Sequence, residues 1–238
     1  MKKLTWISIL LVAASLSGCW HDAAQVDQVT WSDDDSTTAF VKLLYEESST
    51  TNPLSGTSNK RNFRHQVFVE SGSGYRALTP VRDHQNGASF YYMRQAGYIL
   101  LDGIVSNTVR RWDLIDLATG NYEVLATHQE SREPAIPCAF FEALPSWDGQ
   151  TIAILERTTP GATPTDCASG SVVVQFYDVA RHTIIATHEW PLTHMLEATW
   201  TPDNELVVFN QIDGAWTVSA TGGPERTTLP TCFQPRTS

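Results

Sequence analysis

Basic residues are scarce in this chain. Its 16 Lys and Arg stand against 26 Asp and Glu, and the formal net charge is −10. A nucleic-acid binder presents clustered Lys and Arg to phosphate, so the composition argues against that class. It equally opposes docking onto anionic lipid by charge alone. No C-x-x-C occurs, which removes thioredoxin-like and zinc-ribbon sites. There is no G-x-S-x-G elbow and no phosphate-binding loop, and Gly72-Ser73-Gly74 reads as a turn. Convincing amphipathic helices are missing. After the N-terminal stretch, no apolar run approaches the roughly 20 residues that span a bilayer.

What is present begins at the N-terminus. Lys2 and Lys3 precede an apolar stretch, Leu4 to Ala14, broken only by Thr5 and Ser8. Eleven residues are too few to cross a hydrocarbon core of about 30 Å, and the basic flank suits a secretory signal peptide. The stretch closes on Leu16-Ser17-Gly18-Cys19, where two small residues leave room for a peptidase. These four residues resemble the lipobox of bacterial lipoproteins. The resemblance implies export, cleavage before Cys19, and lipid (palmitate included) on the Cys19 thiol and the new amino group. Because stable anchoring takes more than one acyl chain, the three chains of such lipoproteins imply a permanent membrane anchor. Trp20, not Asp, occupies the second mature position. In a host with two membranes this implies the outer membrane, on its periplasmic or its surface face.

The expected organisation is a signal peptide over 1–18, a lipidated tether over 19–26 and one domain over 27–238. The mature chain would hold 220 residues and, without Lys2 and Lys3, a net charge of −12. A chain of this length buries roughly 70% of the surface its unfolded form exposes. Short β-rich runs alternate with Gly, Asp, Asn and Pro clusters: Ala39–Tyr45, Val67–Val69, Ser89–Met93, Tyr98–Leu101, Thr151–Leu155, Ser171–Tyr177, Thr183–Ala186 and Glu205–Phe209. That pattern predicts an all-β fold.

The runs repeat. Trp31-Ser-Asp-Asp-Asp35, Trp147-Asp-Gly149 and Trp200-Thr-Pro-Asp-Asn204 each precede a strand, with residues suited to tight hairpins. Trp147 and Trp200 are 53 positions apart, Trp31 and Trp147 are 116 apart, and Arg94-Gln-Ala-Gly97 sits where a degenerate copy belongs. A second element, Asp116–Leu125, is echoed by Asp178–Ile185 and more loosely by Gln66–Tyr75 and Thr217–Pro224. Each joins an outer pair of strands by a polar turn. These residues resemble the TolB-like, WD40-like β-propeller repeat, whose period is 40–50 residues. The full Ser-Pro-Asp-Gly turn of that repeat appears nowhere intact. The resemblance implies a small propeller of about four blades of antiparallel strands, near 27–80, 87–128, 138–188 and 195–230.

Four cysteines are present, and Cys19 is assigned to lipid. In a propeller, Cys138 and Cys167 fall in loops that open on one face, so a Cys138–Cys167 disulfide is the expected pairing in an oxidising compartment. Closing that loop contributes about 3–4 kcal/mol. Cys232 follows the last strand on the same face and is the alternative partner for either. His182, His188 and His194 recur every six residues near Glu189 and Glu197, but His-x5-His is not a ligand spacing on one strand. Asp33-Asp34-Asp35 lacks the alternating ligands, the Gly and the closing Glu of an EF-hand loop. No metal and no cofactor is therefore expected. Tyr91, Tyr92, Trp112, Trp190 and Trp216 are expected mainly between blades.

The functional expectation is a non-enzymatic, lipid-anchored envelope protein serving as an interaction scaffold or accessory subunit for another envelope protein. Its working surface is expected at the long loops 157–170, 81–87 and 129–137. One alternative is a glycan- or peptide-binding lipoprotein, which requires aromatic residues turned into the central funnel. A second is an envelope hydrolase or lyase, which requires carboxylates or a His–carboxylate pair converging at the axis.

Overall fold

The computed structural model describes residues 20–32, 36–48, 60–83, 90–106, 109–129, 140–158, 170–191, 197–210 and 214–227. All regular elements among them are β-strands, arranged as four antiparallel sheets that follow one another along the chain. Blade one holds β1 (Trp20–Trp31), β2 (Thr38–Ser48), β3 (Lys60–Ser71) and β4 (Gly74–Ala77), with the short β5 (Arg82–Asp83) also paired to β3. Blade two holds β6 (Phe90–Met93), β7 (Tyr98–Ser106), β8 (Val109–Asp116) and β9 (Tyr122–Gln129). Blade three holds β10 (Phe140–Pro145), β11 (Thr151–Thr158), β12 (Ser171–Asp178) and β13 (Thr183–Pro191). Blade four holds β14 (Glu197–Trp200), β15 (Leu206–Asn210), β16 (Gly214–Val218) and β17 (Glu225–Thr227). The first strands of all four sheets line one common cavity. The fold is thus a small all-β propeller of four blades, with β1, β6, β10 and β14 innermost.

A four-stranded sheet cannot bury its apolar face alone, so each blade stacks on the next. Three buried clusters mark three seams. Ala39, Val41 and Val67 of blade one meet Phe90, Ile99 and Leu101 of blade two. Leu100, Trp112 and Leu114 of blade two meet Phe141, Ile152 and Ile154 of blade three. Leu155, Val174 and Phe176 of blade three meet Trp200, Leu206 and Val208 of blade four. Blades two and three are buried on both faces. This explains the unbroken apolar runs at Tyr98–Leu101 and Thr151–Leu155, where alternate residues enter opposite seams. The face of blade one turned away from blade two carries a stacked pair, Phe40 and Phe68, with ring centroids 5.0 Å apart.

Aromatic side chains anchor these seams as expected. Trp112, Tyr92 and Trp190 are buried in the second, first and third, and Tyr91 and Trp216 pack against the second and third. Histidines bridge the same seams. His65 Nε2 lies 3.3 Å from Tyr122 Oη across the first, and His128 Nδ1 lies 3.0 Å from Glu156 Oε1 across the second. His188 Nε2 lies 3.0 Å from the Ser219 carbonyl across the third.

Residues 20–26, expected as a tether, are instead the first half of β1. They pair in register from Trp20 opposite Ser48 to Val26 opposite Lys42. Strand β2 is 11 residues long, and its second half needs a backbone partner that the polar segment His21–Gln25 supplies. That segment shows no apolar alternation, which is why it reads as a linker.

Candidate functional site

The site grows from a recurring turn. Where β6, β10 and β14 end, the chain reverses through Arg94–Gly97, Ser146–Gln150 and Thr201–Glu205 into the next strand. In each turn the fourth residue donates its amide to the first residue's carbonyl: Gly97 to Arg94 (3.1 Å), Gly149 to Ser146 (2.9 Å) and Asn204 to Thr201 (3.0 Å). That residue is left-handed in all three, with φ of 84°, 67° and 58°. Gly, Gly and Asn are the residues that tolerate it. The first residue closes the turn with its hydroxyl where it has one. Ser146 Oγ accepts from the Thr151 amide (3.0 Å) and donates to Asp148 Oδ1 (2.6 Å), and Thr201 Oγ1 accepts from the Glu205 amide (3.2 Å). At the end of β1, Ser32 Oγ accepts from the amides of Ser36 (3.2 Å) and Thr37 (3.1 Å).

The turns set the true register of the repeat. Ser32, Arg94, Ser146 and Thr201 occupy the same position. Trp31 and Trp200 therefore end their inner strands, whereas Trp147 lies one residue into its turn and Pro145 takes the strand-end place. Displaced in this way, Trp147 stands out at the end of the axis, 67% exposed. Its Nε1–H donates to the Trp200 carbonyl at 3.1 Å, and Trp200 Nε1–H donates to the Leu144 carbonyl at 2.9 Å. Asn204 Nδ2 donates to Asp148 Oδ2 at 3.0 Å, tying the two turns together.

Inside this rim lies a cavity of about 550 Å³ on the propeller axis. Blade one contributes Val29, Thr30 and Ser32, and blade two Tyr91, Tyr92 and Met93. Blade three contributes Leu144 to Trp147, and blade four Ala198, Thr199 and Trp200. Among the described residues, the lining holds no Asp, Glu, His, Lys or Arg. Tyr91 stacks on Trp112 with ring centroids 6.2 Å apart. Burial, with Glu142 and Asp102 nearby, pushes its phenol up to about 12, so it stays a neutral hydroxyl. Behind it, burial holds the Glu142 carboxyl above its ordinary range, an effect Arg110 opposes and Asp102 reinforces.

Cys19, Cys138, Cys167 and Cys232 all lie outside the described residues, as do Asp33–Asp35, His194 and most of loops 157–170, 81–87 and 129–137. Arg157, expected at a loop's start, is 1% exposed within β11. His182 sits in the β12–β13 turn, and its ring is held against blade two. Nδ1 lies 2.7 Å from Glu123 Oε2 and Nε2 lies 3.0 Å from Tyr98 Oη, both on blade two. Tyr177 donates to Glu123 Oε1 at 2.8 Å, and burial followed by that contact raises its phenol. Among the described residues, no group of three or more His, Cys, Asp or Glu is placed to hold a metal ion. No helix among them is long and apolar enough to cross a membrane. The sequence marked Trp147 and Trp200 only as repeat signals. Their place at the end of an inner strand (Trp200) and in the turn that follows one (Trp147) is the signal that finds the cavity.

No protein-family model matches the chain, and no curated protein sequence matches it. Solved structures do. The acylaminoacyl peptidase of Pyrococcus horikoshii aligns over 87% of this chain at 9% identity and a TM-score of 0.50, a likeness of fold. TolB from Acinetobacter baumannii aligns over 80% of this chain at 12% identity and a TM-score of 0.35. The present chain spans 33% of the peptidase and 51% of TolB.

Proposed function

We propose that this protein is a lipid-anchored β-propeller of the cell envelope that works by binding another envelope protein rather than by catalysis, with the axial cavity as its contact site. The anchor is Cys19, on the strength of the Leu16–Cys19 motif. The observation that carries the binding role is the lining of the cavity. Aromatic faces and aliphatic side chains from four blades converge there, and no carboxylate or imidazole of a described residue joins them. General acid–base or nucleophilic chemistry needs such groups within hydrogen-bond reach of a substrate. A pocket of this size with an apolar lining and a few hydroxyls is suited to holding a ligand.

The test is crosslinking in cells followed by capture from solubilised envelopes, comparing wild type, Cys19→Ala and Thr199→Trp. Thr199→Trp fills the cavity from a position outside the buried seams. The reading expects one envelope protein captured by wild type and lost in both variants. Unchanged capture by Thr199→Trp would remove the axial cavity from the role. A Cys19→Ala protein that still fractionates with membrane would remove the anchor.

A further inference from the structure

The chemistry of the cavity narrows what enters it. The Ser32 and Ser146 hydroxyls are committed within their own turns. The Tyr91 and Thr199 hydroxyls make no side-chain hydrogen bond to another described residue, and they are set among Val29, Met93, Leu144 and the two indoles. A sugar ring would bring several hydroxyls into this lining and leave most of them unpaired, each at a desolvation cost. Among the described residues the lining offers a charged group no opposite charge, and the net charge of −10 further opposes an anion. An uncharged apolar side chain meets neither objection. The exposed Trp147 face gives a flat apolar wall for it.

The backbone supplies a second argument. Among the described residues, strand β14 pairs with β15 alone, and its other edge faces the axis. The Thr201 amide donates to the Glu205 carbonyl at 2.8 Å, which turns Thr201 toward the β15 side. By the alternation of an antiparallel ladder, Thr199 is turned the same way, and the N–H and C=O of Ala198 point to the axial edge. The Trp200 carbonyl on that edge is already occupied by Trp147, leaving Ala198 as the paired donor and acceptor beside an apolar socket. Extended peptides bind where an open strand edge and a side-chain pocket occur together.

We infer that the axial cavity receives an uncharged apolar side chain from an extended peptide segment of the partner, with that segment's backbone pairing along β14 at Ala198. This rests on the reading of the cavity as a binding site, and it names the occupant.

The test uses the full chain in lipid nanodiscs and dye-labelled, end-blocked heptapeptides of Ser and Thr with Phe, Leu, Lys or Glu at the centre. Fluorescence polarisation reads affinity, and the Trp147 emission reads occupancy. The Phe and Leu peptides bind, and the Lys and Glu peptides bind roughly 10- to 100-fold more weakly. Thr199→Trp removes binding without lowering the melting temperature, and methylating the central peptide nitrogens weakens it. Equal binding of the Lys or Glu peptides overturns the inference. So does a tetramer of β-1,4-linked N-acetylglucosamine that binds in a Thr199-dependent way while the peptides do not. Failure of every peptide, with Thr199-dependent capture in cells intact, rejects the peptide occupant and leaves the binding role standing.

Discussion

Gly120 shows how much a single position can carry. It lies in the turn between β8 and β9 with φ of 71°, and a Cβ placed there would come 1.9 Å from the Leu78 carbonyl oxygen of blade one. Gly120→Ala therefore costs about 1–2 kcal/mol for left-handed backbone and about 1–3 kcal/mol for the overlap. Denaturant unfolding checks this, and the midpoint should fall while the slope stays constant. His182 holds the equivalent place in the β12–β13 turn at φ of 51°, and its bond to Glu123 offsets the backbone cost. Glu142 gives a pH dependence. Its folded pKa lies above the ordinary 4.5, chiefly because burial disfavours the carboxylate. The charged form is thus destabilising above the folded value and neutral in effect below 4.5. Glu142→Gln is expected to melt higher than wild type at neutral pH, with the difference closing as pH falls through the carboxyl's titration. Equal melting temperatures at all pH values would contradict this.

At the level of elements, the sequence was legible wherever a strand is buried on both faces or a turn needs particular residues. Tyr98–Leu101 and Thr151–Leu155 stand out because both faces pack. Asp116 and Asp178 stand out because each caps its hairpin through Oδ1, accepting from the amides of Thr119 (2.6 Å) and Arg181 (2.9 Å). The inner strands were harder to read. β6 and β14 have four residues each, too few for a period to declare itself, and β10 ends on a proline. β1 pairs as an edge with a polar first half, so nothing in its composition distinguishes it from a linker. The cavity was hidden for the same reason: it is lined by the elements with the weakest signals. The turn hydroxyls are open to a direct check. Ser146→Ala leaves the Thr151 amide without its side-chain acceptor and is expected to cost about 1–2 kcal/mol, with a shifted Trp147 emission. Unaltered stability would place the strength of this turn in its backbone alone.

The whole molecule is a row of four sheets held by three buried seams among the described residues. Blades two and three are clamped from both sides, and blades one and four from one. Native-state hydrogen exchange should follow that order, with the amides of β7, β8, β11 and β12 exchanging more slowly than those of β2, β3, β15 and β16. The reverse order would mean that blade one and blade four are buried by contacts outside these seams. Truncating a seam residue is more costly than truncating one at the rim. Trp112→Ala is expected to cost about 3–5 kcal/mol, whereas Trp147→Ala should leave melting nearly unchanged.

Strand β1 has a consequence of another kind. It runs as one paired strand from Trp20 to Trp31, a rise of about 36 Å at roughly 3.3 Å per residue, and reaches the rim at Ser32. If Cys19 is fastened in a bilayer, this strand becomes a mast. The first blade would then rest on the lipid, and the opening at Trp147 would be carried to the far end, facing away from the membrane. What the protein meets would then be decided by standing height and heading, both set by a single strand.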